Sequence, residues 1–294
     1  MNLQERAIAY IKQSGITQAH FGRLVGVAES TISRWIKGTY PAPETIDAKV
    51  KDFLEKEEVR ESITETNDIQ FVMTGISQNI WHVLEYGRIQ RTISVVYGDA
   101  GIGKTRTMKE WAKDKTDVVI VTANPAVKSP KGFFKMLARQ FKTIAQGSLD
   151  DIVIDIMDKL MSSDRTIVID EAQHLNRDTL ELIRSLNDAT NTAIILMGNE
   201  VIYSKMLSKQ QAEFAQLFTR IGMRKHLLTD NFEESDVQEI FNVKEKSTIS
   251  FLLELCRSKF SLRGAIHVFV NSQNNGDISE KGLKAMSKVM GILI

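Results

Sequence analysis

The segment 98–105, GDAGIGKT, constrains more than any other what this chain can fold into. A glycine, four residues and then Gly-Lys-Thr is the spacing of a phosphate-binding loop, the Walker A motif. The β-branched, apolar run 92–97 before it predicts a buried parallel strand, and the run from Thr105 to about Lys113 predicts a helix. A strand, a glycine-rich turn and a helix N-terminus together direct backbone N–H groups at an anion. The sequence therefore predicts a nucleotide-binding α/β fold with a parallel sheet.

Each residue type in this loop has a chemical reason to be there. Glycines let the backbone wrap around a phosphate without a clash from Cβ. The Lys104 ammonium can reach the β- and γ-phosphates, and the Thr105 hydroxyl can bind Mg²⁺. The residues predicted to bind the nucleotide are Gly98, Asp99, Ala100, Gly101, Ile102, Gly103, Lys104, Thr105 and Arg106.

Composition restricts the classes of protein to consider. The chain has 294 residues, 43% of them apolar and 26% charged, which is ordinary for a globular protein and long enough for two domains. A net charge of +1 neither favours nor excludes a nucleic-acid partner. The single cysteine, Cys256, excludes an intrachain disulfide and a cysteine-based zinc site. Because we find neither a signal-peptide pattern nor an apolar run of membrane-spanning length, we expect a cytoplasmic protein without a membrane partner.

Two later strands are predicted to end in polar side chains. The run 166–169 leads into Asp170 and Glu171, which is a Walker B pattern. Asp170 would hold Mg²⁺ and Glu171 would orient the attacking water as a general base, the alternative being that the two acids only begin a helix. The run 192–197 leads to Asn199, which would hydrogen-bond that water or the γ-phosphate unless it is simply a turn residue.

These parts, with a predicted strand at 118–121 and a short fifth strand at 227–228, resemble the AAA+ ATPases. The resemblance implies the sensor 1 role for Asn199. It also implies a helical lid, and residues 230–294 do have helical spacing. Arg263 would then be the sensor 2 arginine that contacts the γ-phosphate from the lid, the alternative being an exposed arginine at the start of a helix.

The resemblance further implies an arginine finger, which acts on the nucleotide of a neighbouring subunit. Arg220 has the expected place just before the fifth strand, and Arg224 competes for the role. An arginine that reaches a nucleotide in trans stabilises the negative charge of the transition state. The alternative for either residue is a surface arginine or a DNA phosphate contact.

Residues 1–56 have the pattern of a small helical DNA-binding module. Apolar positions at helical spacing, interrupted by Gly15 and Gly26, predict three short helices before a fourth at 44–56. The pattern resembles the Cro/C1-type helix-turn-helix, although Gly22 stands where that family usually has alanine. In such modules the third helix enters the major groove; a module that docks another protein is the alternative. The residues predicted to contact DNA from this helix are Ser30, Thr31, Ser33, Arg34 and Lys37.

The domain organisation follows from these assignments. We expect a helix-turn-helix domain at 1–56, a charged linker at 57–68, a nucleotide-binding core at 69–229 and a helical lid at 230–294. The fold class expected is α/β, an AAA+ P-loop parallel sheet with a C-terminal helical lid, preceded by a small all-α helix-turn-helix domain.

The order of these parts, together with the stretches VIDEAQHL, ILMGNEVIYSKM and EFAQLFTRI, resembles the MuB family, the ATP-dependent target-selection proteins of Mu-type transposable phages. The resemblance implies ATP and Mg²⁺ as cofactors and a homo-oligomer that forms helical filaments on double-stranded DNA, largely without sequence preference. It implies recruitment and stimulation of a DDE transposase, and ATP hydrolysis that drives disassembly, in a bacterial host cytoplasm. In this family the ATPase core contacts DNA through basic loops after the second strand. That stretch is poor in positive charge here, and the candidates are Lys128, Lys131, Arg139 and Lys142.

Two other functions fit the same motifs. A replication ATPase that loads a helicase would have a helicase, and not a transposase, as its partner. A nucleotide-responsive regulator would read one operator through the N-terminal module without significant ATP turnover.

Overall fold

The computed structural model describes residues 2–67, 69–127, 129–143, 146–207 and 219–294. By compactness the chain divides into two units, Met1–Asp68 and Ile69–Ile294. Each unit has a hydrophobic core of its own. In the described ranges we find no helix with the length and apolar character needed to cross a membrane.

The first unit is all-helical, as its pattern predicts. Its helices are α1 (Leu3–Ser14), α2 (Gln18–Val25), α3 (Glu29–Ile36) and α4 (Pro43–Asn67). Phe21 and Trp35 are fully buried in its core, and the Trp35 indole N–H donates to Asp47 Oδ1 at 2.7 Å. An ideal Cβ at Gly22 would lie 2.9 Å from the Val27 carbonyl oxygen. The glycine therefore fits the close packing of the turn against α2.

The fourth helix is longer than predicted. It continues past Lys56 to Asn67, so most of the segment predicted as a linker is helical. The segment is rich in glutamate, which favours a helix. Because its apolar residues show little helical periodicity, the sequence pattern did not predict the helix.

The second unit is built on a five-stranded sheet in the order β2-β3-β4-β1-β5, with every neighbouring pair parallel. The strands are β1 (Ile93–Gly98), β2 (Val118–Thr122), β3 (Thr166–Asp170), β4 (Ala193–Gly198) and β5 (Ile221–Leu227). β1, β3 and β4 are buried along their whole length, as their continuous apolar runs predict. Because the strands are parallel, their carboxyl ends meet at one edge of the sheet.

Helices cover both faces of this sheet. They are α5 (Gly75–Gln90), α6 (Lys104–Ala112), α7 (Pro130–Gln140), α8 (Leu149–Met161), α9 (Arg177–Thr190) and α10 (Glu200–Leu207). α5 and α6 pack on the face that carries Val96 and Ile195. α7, α8 and α9 pack on the opposite face, which carries Val95 and Leu196. This alternation along β1 and β4 follows from the two-residue period of a strand.

After β5 the described chain is helical, which confirms the all-helical pattern of its last part. The helices are α11 (Glu234–Phe241), α12 (Lys246–Arg257), α13 (Ser261–Asn274) and α14 (Glu280–Val289). They pack into the same apolar cluster as α5 and α6.

The fifth strand starts earlier than predicted. It spans Ile221–Leu227, not 227–228, and therefore contains Arg224, Lys225 and His226. β5 is one of the two edge strands of the sheet, where exposed charged side chains are tolerated and no continuous apolar run is required.

Candidate functional site

The phosphate-binding loop joins the end of β1 to the start of α6. Gly98 closes β1 with a φ of 143°, and an ideal Cβ there would lie 1.8 Å from the Leu227 carbonyl oxygen. The Asp99 N–H donates to this same oxygen at 3.1 Å. The first glycine of the motif is therefore required by the close approach of β5.

The Lys104 ammonium is held at the mouth of the loop. Its Nζ donates to the carbonyl oxygens of Gly98 and Asp99 at 3.0 and 2.6 Å. Burial lowers the pKa of Lys104 below its ordinary value, against the opposing pull of the Asp170 and Glu171 carboxylates. The amine thus lies among partners that a phosphate can replace.

Thr105 and Asp170 meet as the two motifs predict. The Thr105 hydroxyl donates to Asp170 Oδ2 at 2.7 Å, and Asp170 is only 3% exposed. A hydroxyl and a carboxylate side by side at the phosphate loop fit Mg²⁺, which keeps several waters and takes few protein ligands.

Glu171 and Asn199 are connected through Gln173. Glu171 Oε2 accepts a short hydrogen bond from Gln173 Nε2, and the Asn199 N–H donates to Gln173 Oε1 at 3.2 Å. Asn199 Oδ1 accepts from the Val201 N–H at 2.9 Å, which leaves its NH₂ group as the donor available to a ligand. Motif spacing had not identified Gln173 as a site residue, because its position follows from contacts between β3 and β4.

The lid approaches the phosphate loop through the first residues of α13. An ideal Cβ at Gly101 would lie 3.1 Å from Ser261 Oγ and 3.3 Å from Arg263 Cβ. Ser261 has a φ of 60°, is 2% exposed, and its hydroxyl has no hydrogen-bond partner among the described residues. An unsatisfied buried hydroxyl beside a glycine cradle fits a ligand with phosphate oxygens. The sequence pattern had singled out only Arg263 here.

These groups line one cavity of about 580 Å³. Its lining combines the phosphate loop, the ends of β3 and β4, and the lid: Ala100, Gly101, Gly103, Lys104, Thr105, Arg106, Lys109, Glu171, Gln173, Gly198, Asn199, Leu262, Arg263 and Ile266. The structure therefore brings together Lys104, Glu171, Asn199 and Arg263, which the sequence predicted as one site.

A smaller, mostly apolar recess adjoins this cavity. Ile102 and Gly103 of the loop line the recess, and Gly103 also lines the cavity. Thr74 and Ser77, at the start of α5, line the recess from the other side. Arg106 donates a short hydrogen bond to the Ile69 carbonyl oxygen and lines both spaces. The first turn of α5 therefore lies next to the phosphate loop.

Asp99 faces away from the cavity. Its Oδ2 accepts from the Thr229 N–H at 2.7 Å and from the Thr229 hydroxyl at 3.0 Å. Thr229 begins the 3₁₀ turn Thr229–Asn231 that leads from β5 to the lid helices. Only the backbone of Asp99 is thus available to a phosphate, while its carboxylate joins the loop to the start of the lid.

Arg220 and Arg224 lie outside the cavity. Arg220 directly precedes β5, at the end of the sheet where the strands begin, and its Nε lies 2.9 Å from Asp188 Oδ1. The phosphate loop lies at the other end, where the strands finish, and the length of β1 separates the two ends by about 20 Å. Arg224 lies within β5, 5.9 Å from the ring centroid of Tyr203. Arg220 is therefore too far to serve the nucleotide of its own chain.

The predicted DNA contacts fall on two separate elements. Ser30, Thr31, Ser33 and Arg34 lie on α3, with Lys37 at its end. Lys131 and Arg139 lie on the exposed side of α7, about 12 Å apart along the helix, and Lys142 follows it. Lys128 lies outside the described residues, as does most of the stretch EFAQLFTRI.

Two families match segments of the chain. Residues 88–207 match the family described as an AAA domain. Residues 8–48 match the family described as a helix-turn-helix. The AAA match covers the phosphate loop through α10, and the helix-turn-helix match covers α2 and α3, so both confirm the predicted fold class.

Solved structures support the same fold. The Aeropyrum pernix ORC2 protein superposes with a TM-score of 0.54 at 16% identity, covering 76% of this chain and 68% of that chain. CDC6P from Pyrobaculum aerophilum gives a TM-score of 0.54 at 16% identity, covering 78% and 70%. At these identities the likeness is one of fold.

Curated relatives extend the likeness to almost the entire chain. The Mu-like prophage FluMu DNA transposition protein B of Haemophilus influenzae is 26% identical over 281 residues, covering 92% of this chain and 95% of its own length. The ATP-dependent target DNA activator B of Escherichia phage Mu is 27% identical over 244 residues, covering 81% and 77%. The chain therefore resembles, as its motifs predicted, the MuB-type target DNA activators of Mu-like phages, with a helix-turn-helix domain in front of an AAA domain.

Proposed function

We propose that this chain is an ATP-dependent, DNA-binding AAA+ ATPase that assembles on DNA as a filament, selects target DNA and recruits and stimulates a DDE transposase. The observation that carries the proposal is one cavity lined by Lys104, Glu171, Asn199 and Arg263, in a chain that also holds a helix-turn-helix unit. The names of the relatives, target DNA activator and DNA transposition protein, support target selection as the function.

In the proposed reaction each polar group has one task. When nucleotide binds, the Lys104 ammonium leaves the carbonyl oxygens of Gly98 and Asp99 and donates to the β- and γ-phosphates. Glu171 accepts a proton from water as the water oxygen attacks the γ-phosphorus, and the Asn199 NH₂ orients that water or the phosphate. Arg263 stabilises the charge on the γ-phosphate while its bond to the bridging oxygen breaks and ADP leaves. Mg²⁺, held by Thr105 and Asp170, would neutralise phosphate charge.

The proposed assembly completes the site. Because Arg220 lies at the sheet edge opposite its own phosphate loop, it can reach only the nucleotide of a neighbouring copy. Its contact with Asp188 is on the surface, with the arginine side chain 56% exposed, so the contact can be exchanged at little cost. Hydrolysis would then depend on assembly, and loss of the γ-phosphate would weaken the contact and drive disassembly.

DNA binding is proposed to be shared among subunits. The α3 set has two cationic side chains, Arg34 and Lys37, and otherwise hydroxyls that suit phosphate contacts. Weak contacts from each copy add along a filament, so binding should depend steeply on salt and on ATP.

Electron micrographs of the chain with double-stranded DNA, with and without ATP, test the assembly, and filter binding measures the affinity. We expect filaments only with ATP and none with Lys104→Ala, which loses the ammonium that binds the phosphates. A chain that stays monomeric and free of DNA when ATP is added would contradict the proposal.

Glu171→Gln tests the chemistry separately. It should bind ATP and DNA but not hydrolyse ATP, and its filaments should therefore persist after free ATP is removed. Unaltered turnover would exclude Glu171 as the base. A helicase recovered in place of a transposase in a pull-down would favour helicase loading, and a footprint at one discrete sequence without turnover would favour a regulator.

A further inference from the structure

We propose that Gln173 is a positioning residue that holds the base Glu171 against the end of β4; this inference rests on the proposed ATPase function. Gln173 lies in the 3₁₀ turn Ala172–His174 directly after the Walker B acids. The two ends of its amide contact different strands, since Nε2 donates to Glu171 Oε2 and Oε1 accepts from the Asn199 N–H at 3.2 Å. One side chain thus links the predicted base to the predicted sensor.

Glu171 needs such a support. Its φ is 55°, in the left-handed region that non-glycine residues rarely adopt, and its side chain is 47% exposed. His174 Nε2 lies 3.9 Å from Glu171 Oε2, beyond hydrogen-bond distance. A half-exposed carboxylate has many rotamers, and the donor from Gln173 selects the one that faces the cavity.

The Gln173 amide fits against β4 because the last residue of that strand, Gly198, has no side chain. An ideal Cβ at Gly198 would lie 2.5 Å from Gln173 Oε1 and 3.3 Å from the Gln173 backbone N. Any side chain there would displace the amide from both of its partners. Gly198 and Gln173 therefore form one unit, although they are 25 residues apart in the sequence.

The link predicts how the γ-phosphate is sensed. Asn199 presents its NH₂ group to the cavity, while its backbone N–H is bonded to Gln173. A shift of Asn199 towards a γ-phosphate therefore moves the Gln173 amide, and Glu171 with it. The effect belongs to the attack of water, since nucleotide affinity comes mainly from the phosphate loop.

The first experiment separates turnover from binding. In Gln173→Ala we expect the kcat of ATP hydrolysis, measured with DNA present, to fall about 10- to 100-fold, the effect of a misplaced catalytic group, while the Kd for a non-hydrolysable ATP analogue changes little. Gln173→Glu should lose as much, because it keeps the acceptor for Asn199 but loses the donor to Glu171. Gln140→Ala, at the exposed end of α7, is the matched control. An unchanged kcat in Gln173→Ala, or an equal loss of ATP affinity, would overturn the inference.

A double-mutant cycle adds a second readout. Gly198→Ala should lower kcat and Tm in the unaltered chain, because its Cβ clashes with Gln173 Oε1. In the Gln173→Ala background it should change both much less, so the two losses are not additive. Additive losses would overturn the link. If the unaltered chain does not hydrolyse ATP, the proposed function fails; if it does and Gln173→Ala keeps its kcat, only the inference fails.

Discussion

The buried Lys104 ammonium, which is expected to bind phosphate, lowers the stability of the folded, nucleotide-free chain. Burial lowers its pKa, so near neutral pH the folded chain holds a charged amine in a poorly solvated place. Between the lowered pKa and the ordinary lysine value the unfolded chain binds more protons than the folded one, and stability therefore rises with pH in this window.

We therefore expect nucleotide-free Lys104→Met to melt at a higher temperature than the unaltered chain at neutral pH. The difference should shrink as the pH rises through the window, which calorimetry over a pH series measures. Lys109→Met removes an exposed lysine from the same helix and serves as the control. A difference in Tm that does not vary with pH would contradict the argument.

Cys256 should be chemically silent in the folded chain. It is fully buried in the lid, and burial raises the pKa of its thiol to about 12. Because the thiolate is the reactive form, we expect no reaction with a thiol reagent until the chain unfolds. Absorbance after addition of a disulfide reagent, with and without urea, measures this, and Cys256→Ala provides the blank. A full, immediate reaction under native conditions would contradict the assigned burial.

At the scale of single residues, motif spacing predicted correctly those site residues whose location is set by the backbone. Lys104, Thr105, Asp170, Glu171 and Asn199 stand at strand ends or helix starts, and such ends meet at one edge of a parallel sheet. The positions of Gln173, Ser261 and the Asp99 carboxylate depend on which side chain fills which gap. No spacing in the sequence carries that information.

Between elements, the phosphate loop and the lid are joined by Asp99. Its carboxylate binds both the backbone and the hydroxyl of Thr229. Hydrogen bonds to a charged group contribute about 1.5–3 kcal/mol each, so Asp99→Ala, which loses two of them, should lower the free energy of unfolding by at least about 3 kcal/mol. Urea unfolding measures the loss. Asp230→Ala, exposed in the same 3₁₀ turn, is the control, and equal losses in the two variants would contradict the assigned contact.

At the same scale, apolar runs predicted the strands well. β1 to β4 each start and end within one residue of the predicted runs. For β1, β3 and β4 the reason is burial on both faces, which requires a continuous apolar sequence. β2 is a half-buried edge strand, but its valines and isoleucine also favour a strand. The pattern failed for β5, whose exposed edge carries charges, and for the end of α4, which has no apolar stripe. The backbone hydrogen bonds that form these elements require no apolar pattern in the sequence.

For the whole molecule, the place of Arg220 predicts that two inactive chains restore each other. Glu171→Gln keeps its arginine, and Arg220→Ala keeps its own nucleotide site. In an equal mixture about a quarter of head-to-tail contacts would pair an intact site with an intact arginine. ATP turnover should return to about that fraction of the unaltered rate.

The control is a mixture of Glu171→Gln with Lys104→Ala, which has intact arginines but no intact site and should stay inactive. Arg224→Ala in place of Arg220→Ala distinguishes the two candidate fingers. No recovery in either arginine mixture would contradict an arginine that acts in trans.

The opposite locations of Arg220 and the phosphate loop also give any such assembly a direction. At one terminus of a row of copies the last nucleotide faces no arginine, and at the other the last arginine faces no nucleotide. The two termini would differ in lifetime, because one of them cannot hydrolyse its ATP until another copy arrives. Such a row would grow at the terminus that cannot hydrolyse its ATP and would lose copies elsewhere. Its length would therefore depend on the local concentration of ATP.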